Sequence, residues 1–114
     1  MYLVNLNNLK SAPIDTAAGG TYQLLTTAAT VKFRVFRIFF TLASGTVKIK
    51  SGSTDLTGPM GLTSFSQDEF KIGDQTNPVF EAAAAGDDLI LEFSAAAQCS
   101  GRFWYMDEAP GSGL

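Results

Sequence analysis

The sequence predicts an all-β protein, an antiparallel β-sandwich for which the jelly roll is the favoured topology and an immunoglobulin-like Greek key the alternative. Apolar and polar residues alternate with a period of two over short runs, which is typical of half-buried strands. Clusters of Gly, Ser, Thr and Asp separate these runs at intervals of roughly 8–12 residues. No stretch shows a sustained helical period. Many short strands without helices are typical of two packed sheets.

The length of 114 residues suits one domain. We predict an N-terminal arm over residues 1–20, a β-sandwich domain over residues 21–108 and a flexible tail over residues 109–114. The tail prediction follows from the sequence Pro-Gly-Ser-Gly near the end of the chain.

The longest strand signal covers residues 30–42 and changes phase in the middle. Residues 30–35 alternate with Val31, Phe33 and Val35 on one face. From Phe36 onward the apolar side chains continue on the opposite parity. A strand cannot change parity without an extra residue, so the pattern predicts a β-bulge near residues 35–36 or, alternatively, a strand end that is buried on both faces.

The next signals form a predicted hairpin with this strand. Ser44 and Gly45 mark a turn, and residues 47–50 alternate with both lysines pointing outward. Residues 51–55 are a second turn cluster. Residues 56–61 are expected to be a short irregular strand, which Pro59 restricts to an edge or a bulge.

The second half of the chain contains four further strand predictions, over residues 70–72, 78–81, 88–94 and 99–106. The alanine run at residues 82–87 is too short to nucleate a helix, so we expect a compact turn there. In the last strand both parities are apolar, which distinguishes it from a strand with one solvated face.

The composition argues against an enzyme and against cofactor or metal binding. The chain has no histidine and a single cysteine, Cys99, so general-base, nucleophile and zinc arrangements that need them are excluded. Asp87–Asp88 could supply a few oxygens to Ca²⁺, but the spacing lacks a calcium motif, and solvated turn acids are the simpler interpretation. The net charge of −3 predicts no nucleic-acid partner, and no run is apolar enough to predict a membrane span.

Aromatic residues are the main signal for a partner. Nine Phe, one Trp and three Tyr exceed what one thin core needs. Strands that are apolar on both faces normally have a covering layer, and with no helix predicted the cover should be another copy of the chain or another protein. We expect a homotrimer, because cyclic packing covers these faces without leaving an open edge. The candidate interface residues are Phe36, Phe39, Phe40, Trp104 and Met106.

Basic residues supply a second candidate surface. Five of them alternate along the predicted hairpin and would share its outer face, where an acidic partner surface is a better match than a polyanion. A solvated strand face is the alternative. These residues are Lys32, Arg34, Arg37, Lys48 and Lys50.

Several segments together resemble small structural proteins of tailed bacteriophages and prophages. They are Gly-Thr-Val-Lys-Ile-Lys-Ser-Gly-Ser-Thr-Asp-Leu-Thr-Gly-Pro-Met at 45–60, Pro-Val-Phe-Glu at 78–81, Gly-Asp-Asp-Leu-Ile-Leu-Glu-Phe-Ser-Ala-Ala-Ala at 86–97, Ser100-Gly101 and Tyr105. The resemblance covers about residues 30–106. It implies a jelly-roll virion protein, a capsid cement or decoration protein that is made in the host bacterial cytoplasm and sits as a trimer outside the shell.

The resemblance also implies a contact with the major capsid protein. The candidate contact residues are Lys32, Arg34, Lys48 and Lys50, which would meet acidic shell loops, and Tyr2 and Leu3 in the arm, which could add a strand to an exposed edge. The alternative function is a receptor- or glycan-binding module of a phage tail fibre or spike. In that case an exposed Trp104 flanked by Arg102 would stack on a sugar ring.

Overall fold

The computed structural model of the protein describes residues 2–3, 9–61, 63–68, 75–76 and 78–107. Within these ranges the regular structure is entirely β, which confirms the predicted fold class. The strands are β1 (Tyr2–Leu3), β2 (Lys10–Thr16), β3 (Gly20–Leu25), β4 (Arg34–Leu42), β5 (Val47–Ser51), β6 (Thr54–Asp55), β7 (Ser64–Asp68), β8 (Gln75–Thr76), β9 (Phe80–Glu81), β10 (Leu89–Phe93) and β11 (Cys99–Met106).

Two antiparallel sheets pack face to face as a sandwich. The first has the order β2-β11-β4-β7, with β9 pairing the beginning of β4, and the second has the order β3-β10-β5-β6. The short strands β1 and β8 pair with each other. Chain neighbours such as β2 and β3, or β4 and β5, lie in different sheets, so the chain repeatedly crosses from one layer to the other. This topology is consistent with a jelly roll.

The core lies between the sheets and is built from the inward parity of each strand. Strands β5 and β10 alternate buried and half-buried residues along their whole length, as their sequence pattern predicts. The inward side chains of both sheets join in one cluster. Its largest fully buried members are Phe33, Phe40, Phe103, Ile14, Ile38, Ile49, Leu89 and Leu91.

The phase change in β4 is a β-bulge, as predicted. Trp104 of β11 lies opposite Arg37, and the next residue, Tyr105, lies opposite Val35, so Phe36 has no partner position on β11. The extra residue allows Val35 and Ile38 to enter the same core although their separation is odd. Phe36 itself turns to the other face of the sheet.

The predicted hairpin between residues 30–42 and 47–50 is wrong. Strand β4 pairs with β11 and β7, while β5 pairs with β10 and β6 in the opposite sheet. The turn at residues 43–46 therefore connects the two layers and not two neighbouring strands. Alternation predicted that both segments are strands, but it carries no information on which strands pair.

The predicted arm is too long. Residues 10–16 form β2, which pairs along its length with β11 and places Ile14 in the core. Residues 20–25 form β3 in the second sheet. The sandwich therefore begins at Lys10 and not at residue 21. Ala12 and Ile14 form the inward face of β2, but the Ser, Pro and Asp residues that alternate with them made this strand hard to predict from the sequence.

Other boundaries differ in smaller ways. The predicted turn at 51–55 contains the two-residue strand β6, and the reversal occurs at Gly52, whose φ is 56°. The segment 56–61 does not form a strand: Met60 makes a bridge to Val47, and the Leu56 and Thr57 N–H groups donate to the Ile49 carbonyl of β5. The alanine run at 82–87 is a turn, as predicted. The predictions for residues 70–72 and 109–114 lie outside the described residues.

Candidate interaction surface

The outer face of the β2-β11-β4-β7 sheet carries two neighbouring aromatic side chains. Phe39 of β4 is 40% exposed, and Trp104 of β11 is partly exposed beside it. The alternation of both strands explains their position, because Ile38, Phe40 and Phe103 take the inward parity and enter the core. We call Arg37, Phe39, Arg102 and Trp104 the Phe39–Trp104 patch.

The four side chains of the patch are brought together by the register of β4 and β11. Trp104 lies directly opposite Arg37, and Arg102 lies directly opposite Phe39. The two aromatic ring centroids are 5.9 Å apart with an interplanar angle of 36°. The Arg37 guanidinium carbon stands over the Trp104 ring, 4.8 Å from its centroid, in a cation–π arrangement.

Both arginines have a polar neighbour on the adjacent edge strand. Arg37 Nε lies 3.6 Å from Asp68 Oδ2, between side chains that are each about half exposed. An exposed ion pair of this kind contributes roughly 0–1 kcal/mol. Arg102 Nη1 donates a 2.9 Å hydrogen bond to Ser11 Oγ. Arg37 is therefore paired with one exposed carboxylate, and Arg102 with a neutral hydroxyl.

Three of the five predicted interface residues are buried inside the chain. Phe40 belongs to the main core, and Phe36 and Met106 form a second small cluster with Leu9. Phe36 is 0% exposed and Met106 is 1% exposed. The apolar residues on both faces of these strands thus pack into two clusters within the chain. Of the five predicted interface residues, only Phe39 and Trp104 remain accessible to a partner.

The predicted basic face does not form. Arg34 is only 2% exposed, and it lies in the other sheet from Lys48 and Lys50. Lys32 is exposed in the segment before β4. Since β4 and β5 are not a hairpin, their basic side chains cannot share one surface.

Lys48 and Lys50 are engaged with carboxylates of their own sheet. Lys48 Nζ lies 3.2 Å from Asp55 Oδ2, and Lys50 Nζ lies 2.8 Å from Glu92 Oε2. The hydrogen bond to Glu92 raises the pKa of Lys50, and the charges of Glu92 and Asp55 act in the same direction against the effect of desolvation. This surface is a balanced ion-pair network and not a basic patch.

The arm candidates are described only by backbone pairing. Tyr2 lies opposite Thr76, and Leu3 lies opposite Gln75. One edge of this short strand is thus occupied within the chain. The predicted contact of Tyr2 and Leu3 with a partner stays a prediction.

The acidic pair Asp87–Asp88 organises three loops at one end of the sandwich. Asp87 Oδ2 accepts hydrogen bonds from Ser51 Oγ at 2.7 Å and from the Ala84 N–H at 3.2 Å. Asp88 accepts from the Thr27 N–H at 3.0 Å and from Gln23 Nε2 at 3.1 Å. Donors thus already surround both carboxylates. Among the described residues, no group of three or more Cys, Asp or Glu could hold a metal ion.

Cys99 is a buried core residue. It begins β11 and is completely inaccessible, and burial raises the pKa of its thiol to about 11. The thiolate needed for nucleophilic or metal chemistry is therefore disfavoured in the folded protein.

Sequence reasoning paired Arg102 with Trp104 but missed that Arg37 shares the same face. Arg37 had been placed with the hairpin lysines, although its parity in β4 matches that of Phe39. The alternation after the bulge was the available signal, but the pairing of Arg37 with Trp104 depends on the register of β4 and β11, which alternation does not give.

Comparisons with known proteins give no family. No family model matches the sequence, and no curated protein matches it. Among solved structures, the chain is similar to a protein of Bacillus endospore appendages, described as forming a novel family of disulfide-linked pili. The identity is 17%, the TM-score is 0.43, and the match covers 91% of this chain and 84% of the other. Similarity at this level carries no information on function. No helix in the described ranges has the length and hydropathy of a membrane span.

Proposed function

We propose that the chain is a non-enzymatic structural protein of a tailed-bacteriophage virion. In this proposal it is a capsid cement or decoration protein that binds the outside of the shell formed by the major capsid protein and stabilises it. It needs no cofactor and contacts neither nucleic acid nor membrane. The resemblance of residues 30–106 to small phage structural proteins supports the proposal, together with the β-sandwich fold.

The observation that carries the proposal is the exposed Phe39 beside Trp104 on the outer face of the β2-β11-β4-β7 sheet. Phe39 is the large apolar side chain most exposed among the described residues. Burying one large apolar side chain contributes roughly 1.5–3 kcal/mol. Trp and Arg are also the residue types most enriched among those that dominate protein interfaces. A protein partner accounts for this combination better than a catalytic role does.

We propose a homotrimer as the form that binds the shell. Three identical, individually modest contacts joined in one assembly gain effective concentration, so that avidity replaces single-site strength. The aromatic basis that the sequence suggested for the trimer is reduced, since Phe36, Phe40 and Met106 are buried within the chain, and the trimer proposal rests on this avidity argument rather than on the Phe39–Trp104 patch. Light scattering tests the trimer directly, and a monomer mass at all concentrations would refute it.

The alternative function is a glycan- or receptor-binding module of a tail fibre or spike. Trp104 and Arg102 lie on the same exposed face, as that alternative requires. The Arg37 guanidinium over the Trp104 ring counts against it, because a stacked sugar would have to displace this cation. A glycan array with the purified protein tests this alternative.

The proposed function is tested by co-sedimentation with shells of the phage that encodes the chain, assembled without this protein. We expect the protein to sediment with the shells and to saturate at a stoichiometry that matches the three-fold sites of the lattice. Absence of co-sedimentation at saturating protein, together with a positive glycan array, would favour the tail-fibre alternative.

A further inference from the structure

We infer that the Phe39–Trp104 patch is the surface that docks on the shell, and that the matching shell surface is acidic around an apolar centre. This inference rests on the proposed function and names the contact within it. It places the shell contact on the outer face of the β2-β11-β4-β7 sheet and not on the predicted basic face.

The charge of the patch determines what can cover it. Arg37 and Arg102 flank the two aromatic rings, and both must lose water when a partner covers Phe39 and Trp104. Within the chain Arg37 has the exposed Asp68 carboxylate at 3.6 Å, and Arg102 has the neutral Ser11 hydroxyl. A purely apolar partner would desolvate both guanidinium groups with only these acceptors, which is unfavourable. A partner that supplies carboxylates beside an apolar residue can bind the two arginines and also cover the two aromatic rings.

A second copy of this chain is a poor source of those carboxylates. Every acidic side chain in the described ranges already interacts with a group of its own chain. These are Asp15, Asp55, Asp68, Glu81, Asp87, Asp88, Glu92 and Asp107. Each described carboxylate of a second copy would have to give up a contact within its own chain, so we assign the matching acidic surface to the shell of the proposed function.

A nucleic acid is also a poor match, although arginines and aromatic rings on a sheet face can bind single strands by stacking. Arg37 already occupies one face of the Trp104 ring, which a stacking base would have to share or displace. The protein as a whole carries a net charge of −3, which opposes approach of a polyanion.

The test measures binding to shells lacking this protein for the wild type and two variants, Phe39→Ser and the double variant Arg37→Gln/Arg102→Gln. We expect each variant to bind at least about tenfold more weakly, as for residues that dominate an interface. Raising the salt from about 50 to about 500 mM should weaken the wild type but affect the double variant little, because screening acts on the charged contact.

Lys48→Gln is the matched control, since it removes one positive charge from the outer face of the other sheet. It should bind as the wild type does. A thermal melt of every variant separates loss of binding from loss of fold. If the folded patch variants bind shells as well as the wild type, or if Lys32→Gln alone abolishes binding, the docking inference is overturned while the decoration function stands. If the wild type itself does not bind, the function and the inference both fail.

Two further outcomes would replace the inferred partner. If light scattering shows that Phe39→Ser reduces the mass of the free protein, the patch is covered by a second copy. If the wild type binds a single-stranded oligonucleotide or an arrayed glycan and Phe39→Ser does not, the patch serves that ligand. Either result overturns the inference, which expects the mass to be unchanged and neither ligand to bind.

Discussion

Gly101 allows the closest approach of β11 to β4. A Cβ atom at this position would lie 2.6 Å from the Phe40 Cα and still closer to the Phe39 carbonyl oxygen. These are backbone atoms in the middle of a paired sheet, so they cannot move aside as a flexible side chain would. The register that aligns Arg102 with Phe39 therefore depends on a residue without a side chain at the position before it.

We predict that Gly101→Ala lowers the free energy of unfolding by about 1–3 kcal/mol or more, as overpacking does in well-packed sites. Gly58→Ala is the matched control, because a Cβ there meets no atom within 4 Å and the backbone needs no positive φ. The control should stay within about 0.5 kcal/mol of the wild type. Urea unfolding of both variants measures the difference, and equal midpoints would contradict the close approach.

Burial of Cys99 predicts a dependence of stability on pH at the alkaline end. The folded-state pKa of its thiol is raised from 9.0 to about 11, so the unfolded chain releases this proton first as the pH rises. The contribution of Cys99 is therefore fully present below about pH 9 and is lost progressively towards pH 11. Comparison of the unfolding free energy of the wild type and Cys99→Ala across this range isolates it from other alkaline groups.

The thiol should also resist a disulfide-exchange reagent in the native protein and react on unfolding. A native-state reaction at the rate of an exposed thiol, or identical pH profiles for the wild type and Cys99→Ala, would show that Cys99 is not buried as described.

At the scale of elements, Asp87 fixes the turn between β9 and β10 to the end of β5. Its carboxylate accepts the hydrogen bond of the fully buried Ser51 hydroxyl, which in turn accepts from the Ala83 N–H at 2.8 Å. Gly52 follows with a positive φ and brings the chain close to the same carboxylate. One side chain thus holds two loops together.

We predict that Asp87→Ala lowers the free energy of unfolding by about 1–3 kcal/mol, because it leaves the buried Ser51 hydroxyl without its acceptor. Asp55→Ala is the control, since Asp55 forms only exposed ion pairs with Lys48 and Lys50, and its loss should cost less than about 1 kcal/mol. Thermal melts in the same buffer rank the two variants. A larger loss for Asp55→Ala would contradict this assignment of roles.

The elements also show what alternation can predict. Residues 88–94 contain β10, because their inward parity is clear, and residues 99–106 correspond to β11 although both of its parities are apolar. The bulge at Phe36 was visible as a change of parity for the same reason. Strand β7 (Ser64–Asp68) was missed, since its pairing with β4 buries only part of Phe65 and its other residues are exposed.

Pairing is where prediction from the sequence failed, and the failure reached the candidate site. The sequence of the turn after β4 is typical of a hairpin, yet the chain crosses there to the other sheet. Lys48 and Lys50 therefore lie in a different sheet from Arg34 and Arg37. Long-range register then brought Arg37 to Trp104, a contact that no local pattern encodes. Of the five predicted interface residues, Phe39 is exposed and Trp104 partly exposed, and their role in an interface stays a prediction. Phe40 shares the parity of Ile38 in β4 and enters the core with it.

At the scale of the whole molecule, the outer faces of the two sheets differ in their charged and aromatic side chains. The β3-β10-β5-β6 face carries lysines matched by Asp55 and Glu92, so its charges are satisfied within the chain. The β2-β11-β4-β7 face carries the Phe39–Trp104 patch with two cations that retain exposure. The proposed decoration protein would therefore turn the second face towards the shell and leave the balanced face to solvent.

The most direct test of the proposed decoration function is the temperature at which the phage shells that the protein is proposed to bind rupture, measured by light scattering as the protein concentration is raised. A protein that binds the intact lattice and not its disassembled subunits stabilises the lattice by mass action, with a gain that grows as the logarithm of its concentration above the Kd. We predict a rupture temperature that rises with added protein, and a smaller rise for Phe39→Ser at equal concentration. A rupture temperature that stays the same at saturating wild-type protein would contradict the account.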